Sequence, residues 1–181
     1  TDVFHLAAAY DLAVPKDLAF SVNLDGTKNV NDFVCSVKNL RRYNYVSTCY
    51  VAGKRLGDIL ETDLEHKAGF RNNYEETNYL DEMEVEKIKA TLPVTIYRPS
   101  VVVGDSHTGE TVKYDGIYYL IHYLRKAPIL LRIMNVGNDF VRLNLVPVDF
   151  VVDAITALAR DKEAIGKTVA LERKRTSRNS S

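Results

Sequence analysis

The sequence predicts an α/β fold built on a parallel sheet. Short apolar runs, typical of buried strands, alternate with longer stretches in which apolar residues recur at helical spacing. A strand, helix, strand order with connections of this length favours right-handed crossovers, which place helices on both faces of the sheet. The 181 residues, 46% hydrophobic and 27% charged, are enough for one globular domain with its own core.

The first part of the chain carries the pattern of two strands and one helix. Val3–Ala9 is a short apolar run and predicts the first strand. Between Pro15 and Val37 the apolar residues recur at roughly helical spacing, which predicts a helix. Tyr43–Ser47 is rich in β-forming residues and predicts the second strand, and a polar loop follows it through the acidic stretch Glu61–Glu65.

The middle of the chain predicts a charged helix followed by a third strand. Asn73–Thr91 is rich in helix-favouring residues and stops before Pro93. Its acidic run, Glu82–Glu86, is interpreted as a solvated helix face. Val94–Tyr97 and Ser100–Val103 together predict the third strand.

The last part of the chain predicts two helices, two short strands and a tail. Ile117–Arg125 and Asp149–Arg160 have apolar residues at helical spacing. Pro128–Ile133 and Phe140–Val146 have the pattern of short strands around a turn. Glu172–Ser181 contains no apolar side chain and predicts a disordered tail, because it has nothing to contribute to a core.

Composition narrows the class of protein. Lys plus Arg and Asp plus Glu number 24 each, so the formal net charge is zero and we expect no nucleic-acid partner. No apolar run reaches the roughly 18 residues of a membrane span. The sequence has two cysteines, Cys35 and Cys49, which are too few for a disulfide framework, and this predicts a cytoplasmic protein. Its four histidines are scattered, so we expect no metal site. The chain starts at Thr1 without a signal-peptide pattern, close to an apolar run, which predicts the interior of a longer protein.

Tyr74 is the candidate proton donor. A phenol has an ordinary pKa of about 10, so it serves a carbonyl substrate only when a neighbouring group tunes that proton. The residue four positions on lies one helical turn away on the same face, and here it is Asn78. A hydroxyl at the end of the second strand is a third participant, either Ser47 or Thr48, of which Thr48 is favoured.

Several segments, taken together, resemble the extended short-chain dehydrogenase/reductase superfamily. Within it they are most similar to the thioester reductase and fatty acyl-CoA reductase, or male sterility, branch. The resemblance extends from Val3 to about Leu171. It depends on the segments His5–Ala8, Asn23–Thr27, Tyr45–Thr48, Asn73–Glu82, Tyr97–Ser100 and Val146–Asp149.

The resemblance implies a fold, an activity and a set of site residues. The fold is the C-terminal part of a Rossmann-like doubly wound sheet over residues 1–171, with a small substrate lobe at about 104–140. The implied activity is hydride transfer from NADP, or NAD, to a small-molecule carbonyl or acyl thioester, in a possible homodimer. Tyr74, Thr48 and Asn78 become the catalytic candidates. The implied cofactor contacts are Ala7, Ala8, Ala9, Asn23, Tyr74, Asn78, Pro99, Ser100 and Val101.

Two departures from the family pattern predict an impaired enzyme. No G-x-G-x-x-G motif occurs in the sequence, so the first βαβ unit and its phosphate-binding loop are expected to be absent. Asn78 stands where the family carries Lys. Since an amide supplies no positive charge, the pKa of Tyr74 should stay close to its ordinary value and proton transfer should be slow.

Several alternatives remain open. A nucleotide-sugar epimerase or dehydratase uses the same Tyr and Thr, and a non-catalytic scaffold of the same fold needs neither. Ala7–Ala9 either packs in the core or lets a cofactor approach the backbone. Asn23 either bridges backbone segments near the site or caps the helix turn around Gly26.

Overall fold

The computed structural model describes residues 1–9, 13–112, 114, 116–126 and 144–172. Its strands are β1 (Asp2–His5), β2 (Arg42–Val46), β3 (Val94–Pro99), β4 (Val101–Val103), β5 (Leu145–Pro147) and β6 (Thr168–Leu171). Its α-helices are α1 (Lys16–Ala19), α2 (Gly26–Ser36), α3 (Asn73–Lys89), α4 (Ile117–Lys126) and α5 (Val148–Arg160). A π-helical segment, Phe20–Asp25, joins α1 to α2, and short 3-10 turns cover Cys49–Ala52 and Lys162–Ala164.

The main sheet is parallel and has the order β1-β2-β3-β6. His5 pairs with Tyr45, and Val46 pairs with Tyr97, so the carboxyl ends of β1, β2 and β3 meet at one edge of the sheet. A second, two-stranded parallel sheet joins β4 to β5. The predicted α/β class with a parallel sheet is confirmed.

Helices pack on both faces of the main sheet, as the sequence predicts. On one face, Val34 of α2 and Val85 of α3 contact the buried rings of Tyr43 and Tyr45. On the other face, Val151 of α5 joins a separate cluster of buried residues, with Tyr97, Val146 and Leu171. Burial of these side chains is the main favourable contribution to the fold. No helix in the described ranges is long and apolar enough to cross a membrane.

The third strand differs from its prediction. The sequence pattern joins 94–103 into one strand, but β3 ends at Pro99, and Val101 begins β4, which pairs with β5 in the other sheet. Proline lacks an N–H, so it interrupts the ladder at this point. Ser100 then donates its N–H to the Leu171 carbonyl at 3.0 Å, and the chain turns away from β2.

Strand β6 is absent from the sequence prediction, and some predicted elements lie outside the described residues. β6 is only four residues long and pairs with β3 from the far end of the chain. The predicted strand Pro128–Ile133, the first part of Phe140–Val146, and the tail after Glu172 fall outside the described residues.

A long loop between β2 and α3 closes over the last strand. Gly53 has a φ of 58°, and a Cβ at this position would lie 2.4 Å from the Gly69 carbonyl oxygen, so the turn requires glycine. The His66 ring contacts the Val51 carbonyl through Nε2 at 3.0 Å. Between Val51 and His66, the Glu61 carboxylate accepts the N–H of Ala170 in β6 at 2.6 Å. The middle of the loop is therefore held against β6.

Candidate functional site

Thr48 and Tyr74 lie together at the carboxyl edge of the sheet. Thr48 follows β2 and begins the 3-10 turn, where its Oγ1 accepts the N–H of Tyr50 at 3.3 Å. Tyr74 is in the first turn of α3, which starts there because the Asn72 side chain accepts the N–H of Glu75 at 2.9 Å. The Thr48 side chain lies near enough to the Tyr74 phenol to lower its pKa. The two candidate catalytic hydroxyls are thus neighbours at this edge.

The pKa of Tyr74 is raised above its ordinary value, contrary to the expectation that it stays near it. Burial of the phenol is the main cause, and the neighbouring Thr48 side chain opposes it. Cys49 and Tyr50 raise the pKa further. The Tyr50 ring packs edge-to-face on Tyr74, with 6.2 Å between the ring centroids.

Asn78 is buried beneath Tyr74 and bonds to its backbone. Its side chain is 4% exposed, and Nδ2 donates to the Tyr74 carbonyl oxygen at 2.9 Å. This is a bond back to the preceding turn of the same helix, which Asn readily forms. The amide brings no charge to the phenol.

Asn23 connects the segment after β1 to α3. Its Oδ1 accepts the N–H of Ala9 at 2.6 Å, and its Nδ2 donates to the Ala9 carbonyl at 3.2 Å. The same Nδ2 donates to Thr77 Oγ1 at 3.0 Å, and Thr77 in turn donates to the Asn73 carbonyl. Asn23 lies in the π-helical segment and is 1% exposed. These are the contacts of a bridge between backbone segments.

The residues predicted to contact a cofactor lie at the ends of β1 and β3. Ala7 is exposed, while Ala8 and Ala9 are half-buried, so this small-residue segment borders the site. Pro99 and Ser100 are buried, and Val101 is half-buried as the first residue of β4. These residues therefore border the same edge of the sheet as Thr48 and Tyr74, and their role as cofactor contacts stays a prediction.

Cys49 lies near both Ser100 and Thr48, a proximity that the sequence does not predict. Burial raises the pKa of its thiol, and the Ser100 and Thr48 side chains oppose this increase. Ser100 donates its hydroxyl to the Asn144 carbonyl at 2.7 Å.

Glu82 corrects the interpretation of Glu82–Glu86 as a solvated face. Glu82 is completely buried and bonds to Arg98 of β3, whose Nη2 lies 2.6 Å from Oε1. Glu84 and Glu86, by contrast, are half-buried. A single arginine within an otherwise uncharged strand is the signal in the sequence that a buried acidic partner exists.

The described residues fit the nicotinamide end of a dinucleotide cofactor better than its phosphates. The small residues after β1 and the Thr48 and Tyr74 hydroxyls leave polar groups and accessible backbone at one edge of a parallel sheet. The sequence holds no glycine-rich motif for a pyrophosphate. Across the described ranges, no three His, Cys, Asp or Glu side chains are grouped as a metal site.

Comparison with solved structures defines the class of the protein. The terminal R domain from the myxalamid PKS-NRPS biosynthetic pathway superposes with a TM-score of 0.82 at 27% identity, over 95% of this chain and 43% of that one. UDP-glucuronic acid 4-epimerase from Bacillus cereus superposes with a TM-score of 0.70 at 19% identity, over 96% of this chain and 54% of that one. The fold is the Rossmann-like fold of the short-chain dehydrogenase/reductase superfamily.

Comparison of the amino-acid sequence with known families identifies the family of the chain. Residues 1–155 match the model of the male sterility protein, an NAD-binding family, and the chain belongs to that family. Fatty acyl-CoA reductase wat from Drosophila melanogaster is 25% identical over 88% of this chain and 36% of its own length. The non-canonical nonribosomal peptide synthetase FrzA from Cladobotryum sp is 29% identical over 91% of this chain and 16% of its own length. The predicted resemblance to the reductase branch is confirmed, and the chain spans a minor part of these relatives.

Proposed function

We propose that this chain is part of an NAD(P)-dependent reductase that acts on a small-molecule carbonyl or acyl thioester, with activity lowered by Asn78. The observation that carries the proposal is the placement of Thr48 and Tyr74 side by side at the carboxyl edge of the sheet, where the Thr48 side chain lowers the pKa of the phenol. The kinship with the fatty acyl-CoA reductase wat supports this choice of substrate.

The chemistry assigned to the two hydroxyls is simple. Thr48 donates a hydrogen bond to the substrate oxygen and orients the carbonyl beside Tyr74. A bound nicotinamide supplies the hydride to the carbonyl carbon. Tyr74 gives its proton to the oxygen, on which negative charge develops, and an aldehyde becomes an alcohol. From a thioester the same steps give a hemithioacetal, whose C–S bond breaks to release an aldehyde and a thiol.

Asn78 explains the expected loss of rate. When Tyr74 gives up its proton it becomes a phenolate, and burial already raises the free energy of that anion. A cation four residues further along the helix would stabilise the phenolate, but the amide of Asn78 provides none and bonds to the Tyr74 carbonyl instead.

The test compares turnover with and without a lysine at position 78. The chain, fused after a glycine-rich βαβ unit, is assayed for NADPH oxidation with aldehyde and acyl thioester substrates, beside its Asn78→Lys variant. We expect the lysine variant to be at least about tenfold faster, the lower end for a proton-transfer group. Adding Tyr74→Phe to that variant should remove the gain. Equal rates with Asn and Lys at position 78 would contradict the proposal that Asn78 lowers the reductase activity.

A non-catalytic module of the same fold is the second candidate, and Asn78 is the observation that favours it. Absence of turnover in both the original chain and its Asn78→Lys variant, with NADPH binding retained, would support this candidate. The epimerase or dehydratase alternative has only the likeness of fold behind it, and conversion of a nucleotide sugar by the fused chain would be its sign.

Finer properties of the protein belong to the same proposal. We favour NADP over NAD from the reductase branch alone, and a homodimer as a possible state of assembly. The domain of this proposal covers residues 1–171, with a substrate lobe at about 104–140; residues 127–143 and 173–181 lie outside the described residues. The free thiols of Cys35 and Cys49 agree with a cytoplasmic location. Titration with NADP and NAD tests the choice of cofactor, and sedimentation tests the homodimer.

A further inference from the structure

A buried ionic network joins three elements of the fold behind the reacting pair. The Glu82 carboxylate accepts hydrogen bonds from Arg98 Nη2 at 2.6 Å and from Nε at 2.9 Å. The Ser47 hydroxyl donates to the second oxygen of the same carboxylate. Glu82 is completely buried, and both partners are 6% exposed. The network therefore connects α3, β3 and the end of β2 in one cluster.

Each member of this network adjoins the candidate site. Ser47 immediately precedes Thr48 in the chain. Glu82 lies eight residues after Tyr74 on α3, so it shares the helix face of the phenol. Arg98 lies in β3, just before the strand end that borders the site, and its Nη1 holds the loop at the Glu61 carbonyl, 3.1 Å away.

Stability alone is a weak reason for such a network. Taking a carboxylate and a guanidinium out of water is costly, and well-packed apolar side chains of similar volume often stabilise a core equally well. The directed, bidentate bonds of an arginine instead fix the relative position and register of the groups that they join. Here those groups are the backbone segments that carry the two reacting hydroxyls.

We propose that Glu82, Arg98 and Ser47 are positioning residues that hold Thr48, after the end of β2, beside Tyr74 at the start of α3. The identity of the reacting pair rests on the proposed function. The placement of Thr48 beside Tyr74 is a property of the resting protein, so its test needs no turnover and stands even if the chain lacks reductase activity.

The experiment follows the ionisation of Tyr74 in the full chain. Protein labelled with 3-fluorotyrosine is titrated by fluorine NMR, and the signal is assigned with Tyr74→Phe. The fluorine lowers the phenol pKa and brings the titration toward conditions in which the protein is folded. Because the neighbouring Thr48 side chain lowers the pKa of Tyr74, Ser47→Ala and Glu82→Gln should each reduce its ionisation constant at least about threefold.

Glu86→Gln is the matched control. It removes the carboxylate that pairs with Lys89 at 2.7 Å on the same helix, away from Thr48. We expect it to leave the Tyr74 titration unchanged while lowering the melting temperature. Ser47→Ala keeps the Glu82 and Arg98 pair, so it decides the matter if Glu82→Gln fails to fold. An unchanged Tyr74 titration in Ser47→Ala, or an equal change in the control, overturns the proposal.

Discussion

Asp81 should make the protein less stable as the pH rises from about 4 to 8. Its side chain is 2% exposed, and in the described part of the chain its Oδ1 atom is buried without a hydrogen-bond partner. Burial raises the pKa of this carboxyl from its ordinary 3.8 to about 8. Lys28 of α2 opposes the increase, and Glu84 of α3 adds to it.

The sign and size of the effect follow from proton binding. Between pH 4 and 8 the folded protein keeps the Asp81 proton, whereas the unfolded chain has lost it. The free energy of unfolding therefore falls by about 1.4 kcal/mol for each pH unit in this range. The whole loss has an upper limit of about 5 to 6 kcal/mol, because local opening that hydrates the carboxylate reduces it. Tyr43 and Tyr45 face Asp81, but their raised pKa values keep them protonated throughout.

Urea denaturation of Asp81→Asn at pH 5 and pH 8 measures this loss. Asn has the same shape and does not titrate in this range, so the variant should gain stability relative to the original chain by up to about 4 kcal/mol between the two pH values. Asp25→Asn is the control. It removes an exposed carboxylate from the π-helical segment Phe20–Asp25 and should show no such gain. A difference between Asp81→Asn and the original chain that is the same at both pH values would refute the reasoning.

Two further predictions concern stability. Asn23→Ala removes three hydrogen bonds that join the segment after β1 to α3, and urea denaturation should show a loss of about 2 to 4 kcal/mol; a loss below about 1 kcal/mol would mean that water replaces these bonds. Gly53→Ala should cost at least about 2 kcal/mol, because its Cβ would lie 2.4 Å from the Gly69 carbonyl at a positive φ. Gly57→Ala, also at a positive φ but with open space around its Cβ, should cost about 1 kcal/mol, and equal losses in thermal melts would contradict the role of the contact.

Local patterns were sufficient to predict most of the main sheet and its helices. The predicted helices 73–91 and 149–160 correspond to α3 and α5 with changes of one or two residues at their ends. Strand β6 was missed because four residues after a turn carry little periodicity, and its place beside β3 depends on pairing across 72 residues or so of chain. The residues of β4 were predicted as strand, but its separation from β3 was not, because its partner β5 is also distant in sequence.

In the candidate site, too, some features follow from local sequence patterns and others depend on tertiary contacts. The placement of Tyr74 and Asn78 on one helix could be predicted, because helical spacing fixes which side chains share a face. The burial that raises the pKa of Tyr74 is a tertiary property, and no local pattern reports it. Glu82 was misassigned because a run of charges is usually exposed, and its partner Arg98 comes from another element. The roles of Tyr74 and Thr48 remain predictions for the experiments above.

The bond between Glu61 and Ala170 also bears on how the protein avoids aggregation. In the described residues β6 has one neighbouring strand, so its other side is an edge, and free N–H groups on an edge invite strands from other molecules to add to the sheet. The Glu61 carboxylate occupies one of these donors and places a charge beside the edge. The loop that carries Glu61 thus also hinders the addition of further strands along the edge of β6.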